Sequence, residues 1–402
     1  MTLLPHERAF AIGKAQAVME AMAANLRLAQ RVPYALGPRP TDRRGTFVVC
    51  GAGPSLAGSL PEVARMAREG AKVCVVNTAL PAFDGVLVPD VVLVREAVDV
   101  SGHLRYPARL RVLDLGASRA VWAEALAEGE CLERQDCAWF LGAANHTFDL
   151  AWHLGVRPLF AGTAALTALV ALCEEWGARR VVLVGADLAI REDGAAYSAG
   201  SAFSGQVTQI GADGRATHGG EGFRVKQEAH ARSGLPLNPT HEDTIEVDRW
   251  GGGVIRTTAQ WIDQFPWLVD FAMRYPEIEC IDATGAGARK YGWSEVLLDR
   301  LEVTEGGETK VGQGAPPDFD RARAALLEQC ETAISLAGTV TDPEGCAVAV
   351  PGLLRGMDLV EAAAAGRTLL AIESDEPTAD RVRAVYLALS DSAARLAALL
   401  RE

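Results

Sequence analysis

Apolar positions along the chain follow two alternating patterns. Residues 46–50, 71–77, 110–113, 181–184 and the latter part of 86–94 are short β-branched or aliphatic runs. Strands covered on both faces read this way, apolar throughout rather than on alternate positions. Between them, residues 59–69, 118–128 and 166–176 carry helical spacing. Strand and helix alternating with short turns predict an α/β fold, a Rossmann-like doubly wound and mainly parallel sheet. A further strand over 278–282 follows an aromatic-rich stretch, 258–274, that reads as one helix.

Three other regions break from this alternation. Residues 8–30, rich in Ala, Met, Leu and Glu, predict one amphipathic helix, ended by Pro33, Gly37, Pro38 and Pro40. Residues 190–253 are rich in Gly, Ser, Thr, His and charges with weak periodicity. So long a stretch inside a compact domain predicts a lid or binding insertion. Residues 303–318 read as a Gly/Glu/Pro-rich linker, and 319–336, 357–365 and 378–401 as helices of a C-terminal module. The expected units are therefore 1–44 (N-terminal helix and linker), 45–302 (nucleotide-binding domain with its lid insertion) and 303–402.

A chain of 402 residues exceeds one ordinary core, and 49% hydrophobic with 23% charged residues is ordinary for a folded protein. A net charge of −13 offers no basic field for nucleic acid. The eight cysteines, Cys50, Cys74, Cys131, Cys137, Cys173, Cys280, Cys330 and Cys346, include no CxxC pair, and several lie in apolar runs. They are expected to be small buried hydrophobes in a reducing compartment rather than zinc ligands. No run approaches the ~20 apolar residues of a membrane span, and no basic segment leads an apolar one at the start. The expected location is cytoplasmic, without a membrane partner, and a homo-oligomer is compatible with the composition.

Candidate chemistry lies where strands end. Gly51-Ala52-Gly53-Pro54-Ser55 follows the first strand. Glycines there let a backbone approach a phosphate, the next helix offers unpaired N–H groups, and Pro54 suits a first helical turn. No Gly-Lys-Ser/Thr follows, so it is not a Walker A loop. Asn77 and Thr78 end the second strand, where an amide can bond a base, ribose or phosphate, or cap the next turn. Gly162-Thr163-Ala164 opens another helix and could hold a second phosphate or carboxylate, or simply cap it. Asp187, just past the strand 181–184, could orient a hydroxyl, hold a metal, act as a base or cap a turn. The insertion adds Tyr197, Ser198, Ser201, His218, Lys226, His230 and His241. Tyr197 and His218 are its candidates for proton transfer, against the plainer alternative of solvated residues.

The series Val49-Cys50-Gly51-Ala52-Gly53-Pro54-Ser55-Leu56, Asn77, Pro89-Asp90, Gly162-Thr163 and Gly185-Ala186-Asp187-Leu188-Ala189 resembles the DUF115 group. That group includes the motility-associated factor (Maf) flagellin glycosyltransferases and the archaeal MptE-like 6-hydroxymethylpterin diphosphokinases. Ile281-Asp282-Ala283-Thr284-Gly285-Ala286-Gly287 is similar to the segment closing the Maf central domain, and the likeness covers about 46–302. The opening motif and the 162–187 stretch also resemble bacterial sialyltransferases that use CMP-activated nonulosonic acids. The resemblance implies a CMP-nonulosonate donor of pseudaminic or legionaminic type and a Ser/Thr acceptor, expected on flagellin. It implies Gly51, Gly53, Pro54, Ser55, Asn77, Gly162 and Thr163 at the CMP site, Asp187 at the reacting centre, and no separate cofactor. One alternative is pyrophosphate transfer from ATP, which would need magnesium, with Asp187 and Asp90 as available acids. Another is a non-catalytic motility or assembly partner. The chain departs from these patterns at Arg95-Glu96, where an acid is common a few residues past Pro-Asp. It has Thr284-Gly285-Ala286-Gly287-Ala288 where a glutamate is usual, and Arg256-Thr257 where the sialyltransferases carry a histidine.

Overall fold

The computed structural model describes residues 5–127, 137–143, 147–162, 164–235, 237, 239–304, 315–339, 391 and 393–401. Helix α1 (Pro5–Ala29) leads into β1 (Thr46–Cys50), α2 (Leu56–Arg68), β2 (Lys72–Val76), β3 (Val91–Val94) and β4 (Leu110–Asp114). Then come α3 (Arg119–Ala127), β5 (Cys137–Phe140), α4 (Phe148–Leu154), α5 (Ala165–Glu175) and β6 (Arg180–Val184). Strands β7 (Gln206–Ile210) and β8 (Arg215–Gly219) precede α6 (Gly220–Arg232), and β9 (His241–Asp248) precedes β10 (Val254–Thr258). The order ends with α7 (Ala259–Ile262), α8 (Gln264–Arg274), β11 (Glu279–Asp282), β12 (Ser294–Glu295) and α9 (Phe319–Thr339). Residues 393–401 form a further helical run.

Eight strands make one parallel sheet in the order β12-β11-β6-β1-β2-β3-β4-β5, so the expected α/β class is the observed one. From β1 the chain steps outward to β5, then returns to β6 on the other side of β1. Connections leave β1 and β6 in opposite directions, which opens a crevice at their carboxyl ends. Right-handed crossovers put α2 and α5 on opposite faces. Burial explains the unbroken apolar runs: every residue of β1, β3, β4 and β5 is buried. Helix α5 is apolar almost all round because it packs across β1, β2 and β3 on one side and against α8 on the other. At the far edge, residues 33–35 pair with β5 (Ala35 N–H to Trp139 O 2.7 Å, Trp139 N–H to Pro33 O 3.1 Å), covering an otherwise open edge.

Four differences from the sequence reading have physical causes. The insertion is regular: β7 to β10 form a four-stranded antiparallel sheet flanked by α6. One of its faces meets solvent, so β9 has no fully buried residue and shows no apolar signal. The helix expected over 258–274 is two helices preceded by a strand. Pro266 has no N–H to give Ile262, and the turn at Asp263 separates the pieces. Strand β5 and helix α4 were too short to carry a period of their own. The expected helix 357–365, and 378–390 of the last one, lie outside the described residues.

Candidate functional site

The crevice at the β1/β6 switch point is a half-open cleft with about 680 Å³ of empty space, solvent at its mouth included. Its floor is Gly51-Ala52-Gly53 and Gly185-Ala186-Asp187. Val76-Asn77-Thr78 and Glu96 line one side, and the α5 start at Ala164-Ala165-Leu166 another. Ala196 and Tyr197 come from the insertion, and Trp261 and Gln264 from α7 and α8. Gly51, Ala52, Gly53, Asn77, Thr78, Ala164, Asp187 and Tyr197 are thus brought together. Gly162 lies just behind, Thr163 is outside the described residues, and Pro54 and Ser55 sit at the foot of α2.

Two glycine turns meet at the floor with no room for side chains. A Cβ on Gly51 would stand 2.5 Å from the Gly185 carbonyl oxygen, and one on Gly185 2.6 Å from that of Gly51. A Cβ on Gly53 would collide with the Asp187 carboxylate. The main chain is fastened as well: Gly51 N–H donates to Val184 O and Gly53 N–H to Gly185 O, both at 2.8 Å. The α2 terminus is met by the protein itself. Asp187 Oδ2 accepts from Ser55 Oγ at 2.7 Å and Ser55 N–H at 3.3 Å, while Ser198 Oγ accepts from Ala57 N–H at 3.0 Å. An internal carboxylate thus sits where an anion would meet this helix. At α5, by contrast, first-turn N–H groups have no intrahelical acceptor and border the cleft.

Asp187 is 2% exposed, and its Oδ1 has no hydrogen-bond partner. Burial raises its pKa above the usual aspartate value, against the opposing pull of the Ser55 hydroxyl and the Lys290 ammonium. Lys290 and Asp282, both fully buried, pair at 3.1 Å. Lys290 gave no sequence signal, because one lysine between Arg289 and Tyr291 looks like surface. Asn77 is also buried; its Nδ2 donates to His103 Nδ1 at 3.2 Å. Burial, helped by Arg105, lowers the His103 pKa to about 4, leaving a neutral ring able to accept. Among the described residues, the cleft lining carries two carboxylates, Glu96 and Asp187, and no Lys, Arg or His.

The insertion residues divide. Ser198 N–H donates to Ala52 O and Ala202 N–H to Thr78 O, both at 2.9 Å, stitching the insertion to the two turns. Ser198 and Ser201 are therefore buried connectors rather than solvated. Tyr197 reaches the cleft. His218 does not; it lies in a smaller adjoining cavity whose wall Tyr197 and Trp261 share with the cleft. There Thr208 Oγ1 is 3.0 Å from its Nδ1, and Glu242 is 3.5 Å from its Nε2. Lys226 lines that cavity, His230 is buried elsewhere on α6, and His241 pairs with Thr217 at an exposed position. The departures have structural roles. Arg95 bonds Asp114 at 2.9 Å and the Gly162 carbonyl at 2.6 Å, bracing the turn that leads into α5. Thr257 is buried, with its hydroxyl on Leu188 O at 2.7 Å. Asp90 lies at the opposite, amino end of the sheet, bonded by Val73 N–H at 2.9 Å, and cannot join Asp187.

Comparison with solved structures gives a likeness of fold. The fold matches the structure of a Maf glycosyltransferase from Magnetospirillum magneticum AMB-1, with a TM-score of 0.54 and 14% identity. The match covers 96% of this chain and 57% of that one, so the chain spans little more than half the length of that protein. No family model and no curated protein matches. At this identity the likeness is one of fold. Among the described residues, no helix is long and apolar enough to cross a membrane.

Proposed function

We propose that the chain is a glycosyltransferase that uses the switch-point cleft to bind a CMP-activated nonulosonic acid and passes the sugar to a Ser/Thr hydroxyl, on flagellin or a related protein. The observation that carries this reading is the likeness to a Maf glycosyltransferase along 96% of the chain. The sequence motifs shared with that group line or support the cleft. With no cationic side chain among the described lining residues, the donor phosphate would be met by the free N–H groups and dipole of α5. Asn77, oriented by His103, would bond the base or ribose. Asp187, with its raised pKa and a free Oδ1, is the group suited to take the acceptor proton. Pyrophosphate transfer is less well supported, because Asp90 and Asp187 stand at opposite ends of the sheet.

Titration calorimetry with CMP, CTP, ATP and a hydroxymethylpterin tests the reading. Binding of CMP or CTP is expected, and its absence would sink it. Asp187→Asn should keep CMP binding while lowering transfer from a CMP-nonulosonate by about 10²–10⁴-fold, the usual worth of a positioned base.

A further inference from the structure

The two carboxylates of the cleft lining are not alike. Asp187 is buried and already bonded to Ser55 through Oδ2. Glu96, two residues past β3, is half-buried, and its carboxylate has no hydrogen bond or ion pair among the described residues. Its main chain is nevertheless fixed, since Ser118 N–H donates to Glu96 O at 2.8 Å. The adjacent cation does not neutralise it. Arg95 is held by Asp114 and by the Gly162 carbonyl, and it does not line the cleft.

The parallel sheet sets the distance between these two groups. Along its carboxyl edge the strands run β6, β1, β2, β3, so Asp187 and Glu96 follow strands three places apart. Neighbouring strands lie about 4.8 Å from one another, which puts the two strand ends about 14 Å apart. Between them stand the glycine turn after β1 and Asn77 after β2. Helix α5 packs across β1, β2 and β3 and brings its amino end to the same edge. Trp261 belongs to the Asp187 end, because the chain just before it pairs with the chain just after Asp187. There Ile190 N–H donates to Arg256 O at 2.8 Å and Thr257 Oγ1 to Leu188 O at 2.7 Å. The cleft therefore has a direction. A nucleotide sugar whose scissile bond faces Asp187, with its sugar towards Trp261, runs its phosphate, ribose and base across β1 and β2. The base, furthest from the phosphate, arrives at β3.

A carboxylate only accepts hydrogen bonds. Cytosine presents its exocyclic N4 amino group as a donor, and acidic side chains accept from that group in nucleic-acid recognition. Uracil has a carbonyl oxygen in the same place, and two acceptors facing one another repel. We propose that Glu96 reads the nucleobase of the donor, accepting from the cytosine amino group and discriminating against uracil. This rests on the reading of the cleft as the site of a CMP-activated donor.

Titration calorimetry of the full chain with CMP, UMP and 2′-deoxy-CMP tests it, on the wild type and on Glu96→Gln. The wild type should bind CMP at least about tenfold more tightly than UMP. Glu96→Gln should weaken CMP about tenfold or more, the scale of a lost hydrogen bond to a charged group. Its amide can also donate to a carbonyl, so UMP should bind as well as before or better. The variant should weaken 2′-deoxy-CMP by the same factor as CMP. Thermal unfolding checks that the variant is folded, as expected for a side chain without a protein partner. An unchanged preference for CMP over UMP in Glu96→Gln would overturn the proposal. So would a loss seen with CMP but not with 2′-deoxy-CMP, which would put the carboxylate on the ribose. Equal binding of CMP and UMP by the wild type overturns this inference and leaves the nucleotide cleft standing, whereas no binding of either overturns both.

Discussion

Asn77 shows how one side chain at the cleft is controlled by a partner that does not line it. Its amide needs an acceptor, and His103 supplies one only while the ring is neutral. Burial favours that neutral form and lowers the His103 pKa to about 4. An unfolded histidine titrates near 6.5, so between these values the unfolded chain holds more protons than the folded one. The contribution is therefore fully present above about pH 6.5 and is lost as the pH falls towards 4, with a ceiling of about 3 kcal/mol. His103→Gln keeps an acceptor for Asn77 but does not titrate. Urea unfolding from pH 4 to pH 7 should show wild-type stability rising more steeply than that of the variant. Parallel curves would remove His103 from this role. Asp187 has the opposite sign. Its raised carboxyl pKa means the folded state holds its proton longer, so its contribution weakens as the pH rises past the usual aspartate range.

The first glycine turn and α2 behave as one element, because the helix is fixed by what meets its amino end. Gly53 sits against the Asp187 carboxylate and within reach of the Gly185 carbonyl, whereas Gly58, two residues into the helix, has open space around it. The same substitution should therefore act in opposite directions. Gly53→Ala forces the two turns apart and should cost about 2 kcal/mol, while Gly58→Ala should stabilise by about 0.5–1 kcal/mol through helix propensity. Chemical denaturation of both variants reads the contrast, and a tolerated Gly53→Ala would mean that the turns are not in contact as described. Elements of this kind were legible in the sequence because their cause is local. The all-apolar run of β1 and the Gly-X-Gly turn announce a buried parallel strand and a close approach. The engagement of the α2 terminus by Asp187 was not legible, since it joins residues 132 positions apart. Nor was the insertion sheet, whose half-solvated strands look polar, or Lys290, which is buried by tertiary packing.

Across the whole molecule, two sheets of very different burial meet at the cleft, and that difference predicts how the protein opens. The parallel sheet is enclosed by helices, so its central amides can exchange with solvent only through global unfolding. The antiparallel sheet buries little, and the insertion is held to the core by scattered bonds, among them Ser198 to Ala52, Ala202 to Thr78, Asp99 to Ser233 and Arg289 to Asp248. Local opening of the insertion should therefore precede unfolding of the core. Hydrogen exchange followed by mass spectrometry should show amides of β7 to β10 exchanging at least about a hundredfold sooner than those of β1, β2 and β6, equivalent to about 3 kcal/mol. Because Tyr197 and Ala196 line the same cleft as Asn77 and Asp187, a nucleotide bound there binds the closed insertion better than the open one. CMP should then slow exchange over 196–202 as well as over 51–57, in proportion to the calorimetric affinity. Slowing over 51–57 alone would place the nucleotide on the core without the insertion. Equal protection of both sheets without ligand would make them a single cooperative unit and remove the opening step.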